Sequence, residues 1–446
     1  MKRRDFLSTS VGLAGATLLP ALARGADPCP PPVLSVGSGA SVNTSCGPPA
    51  APGAAPAWFT GLAEKTWTKI ATGTGQRLVD VSPSPSLTID GRTLDSLITS
   101  WTGGCVDQNR GEFVMAANGG HAAYAGNECY VCKVRTDTPR WYRLNDPTPA
   151  ASVLFDPPTS GVAQNADGRM RTVHNWHRMC FANGKVWHPS QDAYYSPTNS
   201  VQGVWSFDRD SFGDDPRAWP VAWANNPGPW RSYGVVSSSG AFLGGPSAFD
   251  RVSGLIWSFG EQNPNTYPYW SVDTRTGASR VYTGSAPFTH FGSQWAVVAH
   301  DLRILMVSDY ASTNIWVLNL DSPASGLVPR PSAGGQSNIY GFGGVYHKPS
   351  KAVLTYDPMK SSGGVIRKLQ IPTTSSGAYD PNGTFVWSSV AAASGSTTPA
   401  TERSDYQGTY SKFNIIEDMG NGQSCLVLVT GVASYTYAYR LPVAGV

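Results

Sequence analysis

Charge is scarce in this 446-residue chain. Asp, Glu, Lys and Arg make up 14% of it, and 33 basic against 30 acidic residues leave a formal net charge of +3. So small a surplus provides no electrostatic footprint for nucleic acid or for an anionic surface. No Lys/Arg cluster occurs outside the N-terminus. A Gly-rich phosphate loop of the P-loop or dinucleotide type is absent, so a nucleotide-binding reading has no support. There is no Gly-x-Ser-x-Gly elbow, and nothing selects a Ser-His-Asp triad from the residues present. Past the N-terminus no apolar run is long enough to span a membrane. Cysteines number seven, and the odd count leaves at least one thiol unpaired. Cys29 and Cys46 flank a Pro/Gly/Ser-rich segment and could pair. Cys129 and Cys132 form a C-x-x-C, but on a strand they point to opposite faces, which argues against a redox or zinc site. Cys180 and Cys425, on apolar strands, suit a buried free thiol.

What the chain has in plenty is turn formers and aromatics: 48 Gly, 35 Pro, 15 Trp and 19 Tyr. That balance predicts an all-β protein of many short strands. From about residue 94 a unit repeats: apolar strand, tight polar turn, apolar strand. The six turns fall at 107–111, 182–185, 250–254, 300–303, 347–351 and 417–422. The strands that follow are 112–117, 185–188, 255–259, 304–308, 352–356 and 424–430. Asn183-Gly184 is the strongest hairpin signal. A third strand with an aromatic follows most hairpins: Tyr130, Trp205, Trp270, Trp316 and Tyr437. A fourth follows at 140–144, 218–221, 280–282 and 385–387. Four antiparallel strands repeated around an axis make a β-propeller. The count predicts six blades, or seven if residues 71–93 hide a degenerate one. The last unit stops after its third strand, so the lone strand Trp67–Ile70 is expected to supply its outer strand and close the ring, removing exposed edges.

The first residues are not part of that fold. Arg3-Arg4-Asp5-Phe6-Leu7, a mostly small and apolar stretch over 8–22, and the small-residue site Ala21-Leu22-Ala23 closely resemble a twin-arginine export signal. The resemblance implies a protein exported to the periplasm or beyond. The expected division is residues 1–25 as signal peptide, 26–60 as a Pro/Gly/Ala/Ser-rich linker, and 61–446 as the propeller.

Residues 118–128, Asn-Gly-Gly-His-Ala-Ala-Tyr-Ala-Gly-Asn-Glu, join two apolar strands and read as the tip of one blade. Gly119-Gly120, then Tyr130 on a third strand and Trp141 on a fourth, follow the kelch pattern. The repeats over roughly 67–446 therefore resemble a kelch or galactose-oxidase-type propeller. Gly244-Gly245 and Gly343-Gly344 depart from the pattern by standing before the hairpin.

Loops in such a fold alternate between two faces. His300 and His347 fall in first turns, on the face away from the longer loops, and read as structural. The other face collects His121, Tyr124, Asn127, His188, Gln191, Glu261, Asn263, Tyr267, Asp309, Tyr310 and Asp357 from the loops between second and third strands. From inter-blade segments it collects His174, His177, Arg178, Arg231, Tyr233, His290, Tyr340, Arg403, Asp405 and Tyr406. Five of seven histidines share this face, and a concave propeller mouth is where a ligand is expected.

Three functions compete for it. The first is action on polysaccharide, since Trp and Tyr stack on sugar faces. Uronate lyases include kelch-like propellers, so the resemblance admits β-elimination. That reaction needs a base, an acid, and a group that neutralises the carboxylate. His121 or His177 is the expected base and Tyr124 or Tyr233 the acid. Arg231 or Arg178 with Asn127 is the expected carboxylate clamp, with His188, His290, Tyr267 and Glu261 as further substrate contacts. Hydrolysis by paired carboxylates is a variant, drawing on Glu128, Glu261, Asp309, Asp357 and Asp405. The second is a non-catalytic sugar- or protein-binding propeller. The third is a copper oxidase similar to the galactose-oxidase group, for which two His and two Tyr in one mouth are the required ligand types. His174-x-x-His177 with His188 would be a zinc variant. No cofactor is assigned, and the expected state is a monomer.

Overall fold

The computed structural model describes residues 53–88, 93–119, 124–154, 164–172, 174–189, 203–222, 227–236, 242–262, 269–282, 294–308, 313–335, 341–404 and 406–446. Residues 49–446 form one compact unit. Its strands group into six sheets, each a blade. Blade 1 runs Cys105–Asp107, Glu112–Ala116, Cys129–Lys133, Arg140–Arg143 from inside to outside, and blade 2 Cys180–Ala182, Lys185–His188, Gly203–Asp208, Trp230–Val235. Blade 3 is Phe242–Asp250, Leu255–Gln262, Tyr269–Asp273, Ser279–Tyr282, and blade 4 is Ala296–Ala299, Ile304–Ser308, Ile315–Asn319, Leu327–Arg330. Blade 5 is Gly343–His347, Ala352–Tyr356, Ile366–Gln370, Phe385–Val390, with the short parallel strand Ser332–Ala333 outside it. Blade 6 takes Phe413–Ile416, Cys425–Val429 and Thr436–Arg440 from the C-terminus and Trp67–Ile70 as its outer strand. Inner strands of successive blades touch in the order 1 to 6 and back to 1, so the ring is closed. The protein is a six-bladed β-propeller.

The repeat in the sequence explains this outcome. Each inner hairpin turns on residues that accept its geometry, as at Asn183-Gly184, where φ is 51° and 70°. Alternate side chains of each blade enter the gaps on either side. Cys129 and Val131 pack toward blade 2, whereas Tyr130 and Cys132 pack toward blade 6. The C-x-x-C pair is thus split between two cores, and all five described cysteines are buried free thiols. Trp67 seals the ring. Its indole donates to the Gly364 carbonyl at 2.9 Å and packs on Tyr356 and Tyr439 at 5.1 and 5.0 Å. Burying an aromatic of this size contributes about 3 kcal/mol, added to the backbone ladder that joins Trp67–Ile70 to Thr436–Tyr439.

One strand assignment is corrected. Residues 218–221 are not the fourth strand of blade 2; Trp230–Val235 is. Pro220 has no N–H to give a ladder. Asp215 instead caps the 3₁₀ turn Pro216–Ala218 by accepting from the Arg217 N–H, and Trp219 packs edge-on against Tyr142. Blade 5 also departs from the aromatic rule, since Ile366–Gln370 carries none.

The ring's two ends differ. At the hairpin-turn end, Arg251 of blade 3 reaches Glu417 of blade 6, at 2.7 and 2.9 Å to its two oxygens. These blades are opposite in a ring of six, so the ion pair crosses the axis. Around it Arg303 contacts Asp250 and Asp321, and Arg110 contacts Asp107, Asp210 and Asp214. His300 sits beside Asp250, and Nδ1 of His347 lies 2.7 Å from the Ser350 hydroxyl. Both histidines are therefore held by turn residues. No described helix is long and apolar enough to cross a membrane.

Candidate functional site at the axial mouth

At the other end the chain crosses the axis itself. Residues 174–178 approach the inner strand of blade 2 and lie against four other blades. The Asn175 and Trp176 N–H groups donate to the Trp101 carbonyl, each at 3.1 Å, beside blade 1. The Trp176 carbonyl accepts from the Ser411 hydroxyl at 2.6 Å, beside blade 6. The His177 carbonyl accepts from the Ser247 N–H at 2.8 Å, on blade 3. Nε2 of His177 donates to the Phe342 carbonyl at 2.8 Å, at the start of blade 5, opposite blade 2. A carbonyl only accepts, which fixes that tautomer.

On the strap sits an aromatic platform. His174 packs between Trp101 and Trp176, with ring centroids at 5.6 and 4.6 Å. All three rings are partly exposed. Beneath Trp176 lies the buried Arg178 guanidinium, 4.5 Å from the ring. Trp101 and Trp176 both have φ of 34°, a conformation that costs a bulky residue roughly 1–3 kcal/mol and persists where surrounding structure enforces it, often at functional sites. Here the enforcement is visible: Trp176 is pinned at its N–H by Trp101 and at its carbonyl by Ser411.

The floor beside the platform is polar and dry. Asp357 follows the second strand of blade 5 and is buried, accepting from the Met359 N–H at 2.9 Å. Loss of hydration pushes its carboxyl up to about 6, against the partial relief given by that N–H and by Lys360 and Lys412. Lys412 is wholly buried. It donates to the Ile98 carbonyl at 2.8 Å and faces the Tyr406 and Tyr410 rings at 4.6 and 5.5 Å. Burial holds its amine well below the usual lysine range. Gly341, with φ of 75°, lets the chain pass, because a Cβ there would stand 3.2 Å from the Gly408 Cα and 3.6 Å from Asp357 Oδ2. A buried carboxyl near 6 on this end of the axis changes charge near neutral pH.

Of the residues predicted from sequence, His177, Arg178 and His188 converge here. All three are fully buried. Burial pushes His177 and His188 down to about 3, the Arg178 charge adding to the effect on His188. Nδ1 of His188 donates to Asn175 Oδ1 at 3.1 Å, and Nε2 has no hydrogen-bond partner. As a base, His177 is therefore weak and already hydrogen-bonded. His174, Asp357 and Tyr406, also predicted for this face, belong to the platform and floor described above, and the other described candidates are placed elsewhere or committed. The Tyr124 hydroxyl donates to the buried Glu128, as does Tyr130, and burial raises the Tyr124 phenol well above its usual range, so its expected role as acid is not supported. Asn127 exhausts its amide internally, donating to Thr148 Oγ1 and the Met170 carbonyl and accepting from the Thr148 N–H. Arg231 and Tyr233 are not on a mouth segment. They lie on the outermost strand of blade 2, a consequence of the corrected strand assignment. His121, His290 and Tyr267 lie outside the described residues, as do Gln191, Asn263, Asp309, Tyr310, Tyr340, Asp405 and the Glu261 side chain. Among the described residues no group of three His, Cys, Asp or Glu is placed to hold a metal.

Sequence reasoning missed Trp101, Trp176 and Lys412. The clue for the tryptophans was their neighbourhood: Trp101 lies just before Gly103-Gly104, and Trp176 between two histidines. Lys412 gave no signal, since a lysine before an apolar strand ordinarily reads as solvated.

No protein family and no curated protein matches the chain. Solved structures give remote likenesses. A protein of unknown function from Bacteroides thetaiotaomicron is 10% identical, with 84% of this chain and 75% of that one covered and a TM-score of 0.41. An auxiliary nutrient binding protein from Bacteroides ovatus has 10% identity, 84% and 76% coverage and a TM-score of 0.41. An exo-beta-1,3-galactanase from Phanerochaete chrysosporium has 8% identity, 64% and 63% coverage and a TM-score of 0.34. Scores this low carry no functional argument, and the six blades are read from the strands themselves.

Proposed function

We propose that this protein is an exported propeller that acts on carbohydrate, laying a sugar chain across its axial mouth. One observation carries the reading: Trp101, His174 and Trp176 form a partly exposed stack held in strained backbone over the axis. Apolar faces of sugar rings pack on such a surface, and few soluble-protein features other than a ligand reward exposing it. Asp357 is the proton-transfer group. Arg178, beneath Trp176, supplies positive charge for a carboxylated sugar, which supports β-elimination on a uronate polymer. The twin-arginine-like leader over 1–25, the linker over 26–60 and a kelch-type ancestry for residues 61–446 belong to the same proposal.

The test incubates the protein with neutral and uronate-containing polysaccharides. Ultraviolet absorbance reports unsaturated uronides and a reducing-end assay reports hydrolysis. The expected result is product from wild type and a loss of about 10²–10⁴-fold in Asp357→Asn. A second reading, binding without chemistry, is favoured by the internal commitment of His177, Tyr124 and Asn127. Tight glycan binding with neither product would establish it, and neither binding nor product would overturn both.

A further inference from the structure

The outer wall of the ring carries charge in a pattern of its own. The six outermost strands of the blades hold Lys69, Arg140, Arg143, Arg231, Arg280 and Arg330, and no Asp or Glu. Three consecutive blades repeat one device, Arg-x-Tyr, with both side chains on the same face of the strand. The Arg140 guanidinium lies 5.6 Å from the Tyr142 ring on blade 1, Arg231 4.8 Å from Tyr233 on blade 2, and Arg280 5.0 Å from Tyr282 on blade 3. Each ring is fixed in turn. Tyr142 meets Trp219 edge-on at 5.6 Å, Tyr233 stacks on Trp187 at 5.1 Å, and Tyr282 stacks on Tyr269 at 5.1 Å.

Arg143 pairs with Asp146 at 3.1 Å, and Arg140 donates to the Gly75 carbonyl at 2.7 Å. Among the described residues Arg140, Arg231 and Arg280 make no ion pair, although acids are at hand elsewhere on the surface. At the hairpin-turn end, Arg110, Arg251 and Arg303 all have carboxylate partners. Arg231 and Arg280 are exposed. A guanidinium held over a ring loses little further freedom on binding, and at the exposed Arg231 and Arg280 its edge still offers two parallel N–H donors to a carboxylate. Lone charges suffice to stop edge strands from pairing; that duty alone does not call for the same stacked pair on each of three blades.

We propose that this wall is a second docking surface, separate from the mouth, that holds an acidic polysaccharide by its carboxylates at Arg140, Arg231 and Arg280. One site per blade along a single polymer gives avidity from individually weak contacts. The surface stands independently of the reading of the mouth.

The full chain is run in native gels containing polygalacturonate, with neutral dextran as control, over a series of salt concentrations. The wild type is expected to be retarded by polygalacturonate alone, less so as salt rises. The mouth variant Trp101→Ala/Trp176→Ala is expected to stay retarded, and Arg140→Gln/Arg231→Gln/Arg280→Gln set in that background is expected to lose at least about tenfold in affinity. Should the triple variant fail to fold, Arg231→Gln/Arg280→Gln replaces it, because both side chains are exposed. Wild type that runs freely, or a folded variant retarded as wild type, overturns the proposal. So does a variant that only self-associates with unchanged retardation, which would leave edge protection as the whole role of these arginines.

Discussion

The two ends of the propeller axis are closed by opposite chemistry. At the hairpin-turn end the closure is ionic, with Arg251 and Glu417 spanning the ring and arginine–aspartate pairs around them. Each of these charges has a partner, and a pair about a third open to water, as Arg251 and Glu417 are, contributes little by itself. At the mouth the closure is a strap of backbone hydrogen bonds, with buried ionisable groups set against their preferred charge and two tryptophans in strained conformations. The turn end carries cost as well, in the positive φ of Arg303 and Lys351 and in the burial-lowered His300 and His347, whereas at the mouth the cost falls on partly exposed aromatic rings and a buried carboxyl. Unrelieved cost is what a binding site leaves for its ligand.

The largest predicted effect lies at the ionic end. Arg209 and Glu112 form a fully buried double hydrogen bond, Nε and Nη2 each 3.0 Å from a carboxylate oxygen, which ties blade 2 to blade 1. Arg209→Ala leaves Glu112 buried without that partner. It is expected to cost about 3–5 kcal/mol in denaturant unfolding and to leave glycan binding by the folded fraction unchanged.

An intermediate effect sits at the mouth and is read by pH. His177 and His188 titrate near 3 in the fold but near 6.5 when unfolded. Their contribution is complete above about 6.5 and is lost as pH falls toward 3, because the unfolded chain then binds protons the fold refuses. Asp357 has the opposite sign. Its folded pKa of about 6 exceeds that of an ordinary carboxyl, so its burial costs stability increasingly as pH rises from about 4 to about 6. Melting temperature across this range should fall toward acid in wild type. In Asp357→Asn it should fall more steeply and start higher at neutral pH. An unchanged pH profile would remove Asp357 from the mouth's stored cost.

The smallest effect returns to the ionic end. Arg251→Ala is expected to cost no more than about 1 kcal/mol, because the pair is partly exposed and screened. A large loss there would break the contrast between the ends.

How much of this was legible beforehand follows from what periodicity can encode. Six polar turns and aromatics on third strands favoured six blades and left seven open, and an unfinished last blade pointed to Trp67–Ile70 as its closing strand. Residues 218–221 misled because Trp and Val suggest strand while Pro220 forbids the ladder, and that error carried Arg231 and Tyr233 to the wrong surface. At the mouth, residue type gave the right face and the wrong roles. Tyr124 and Asn127 look functional in sequence because they are polar and flanked by glycine, yet hydrogen bonds that only the folded chain supplies consume them. Trp101 and Trp176 look like core, and only their backbone angles and shared contact with His174 set them apart.

The central claim, that the mouth is built to hold a sugar chain on Trp101, His174 and Trp176, is tested most directly by a binding isotherm. Neutral polysaccharides that bind wild type, which the charged outer wall does not hold, are titrated into Trp176→Ala and, as a control, Trp187→Phe, which alters a buried tryptophan on blade 2. The account predicts at least about a tenfold loss for Trp176→Ala with an unchanged or slightly lowered melting temperature, and wild-type binding for the control. Wild-type affinity in a folded Trp176→Ala would contradict it.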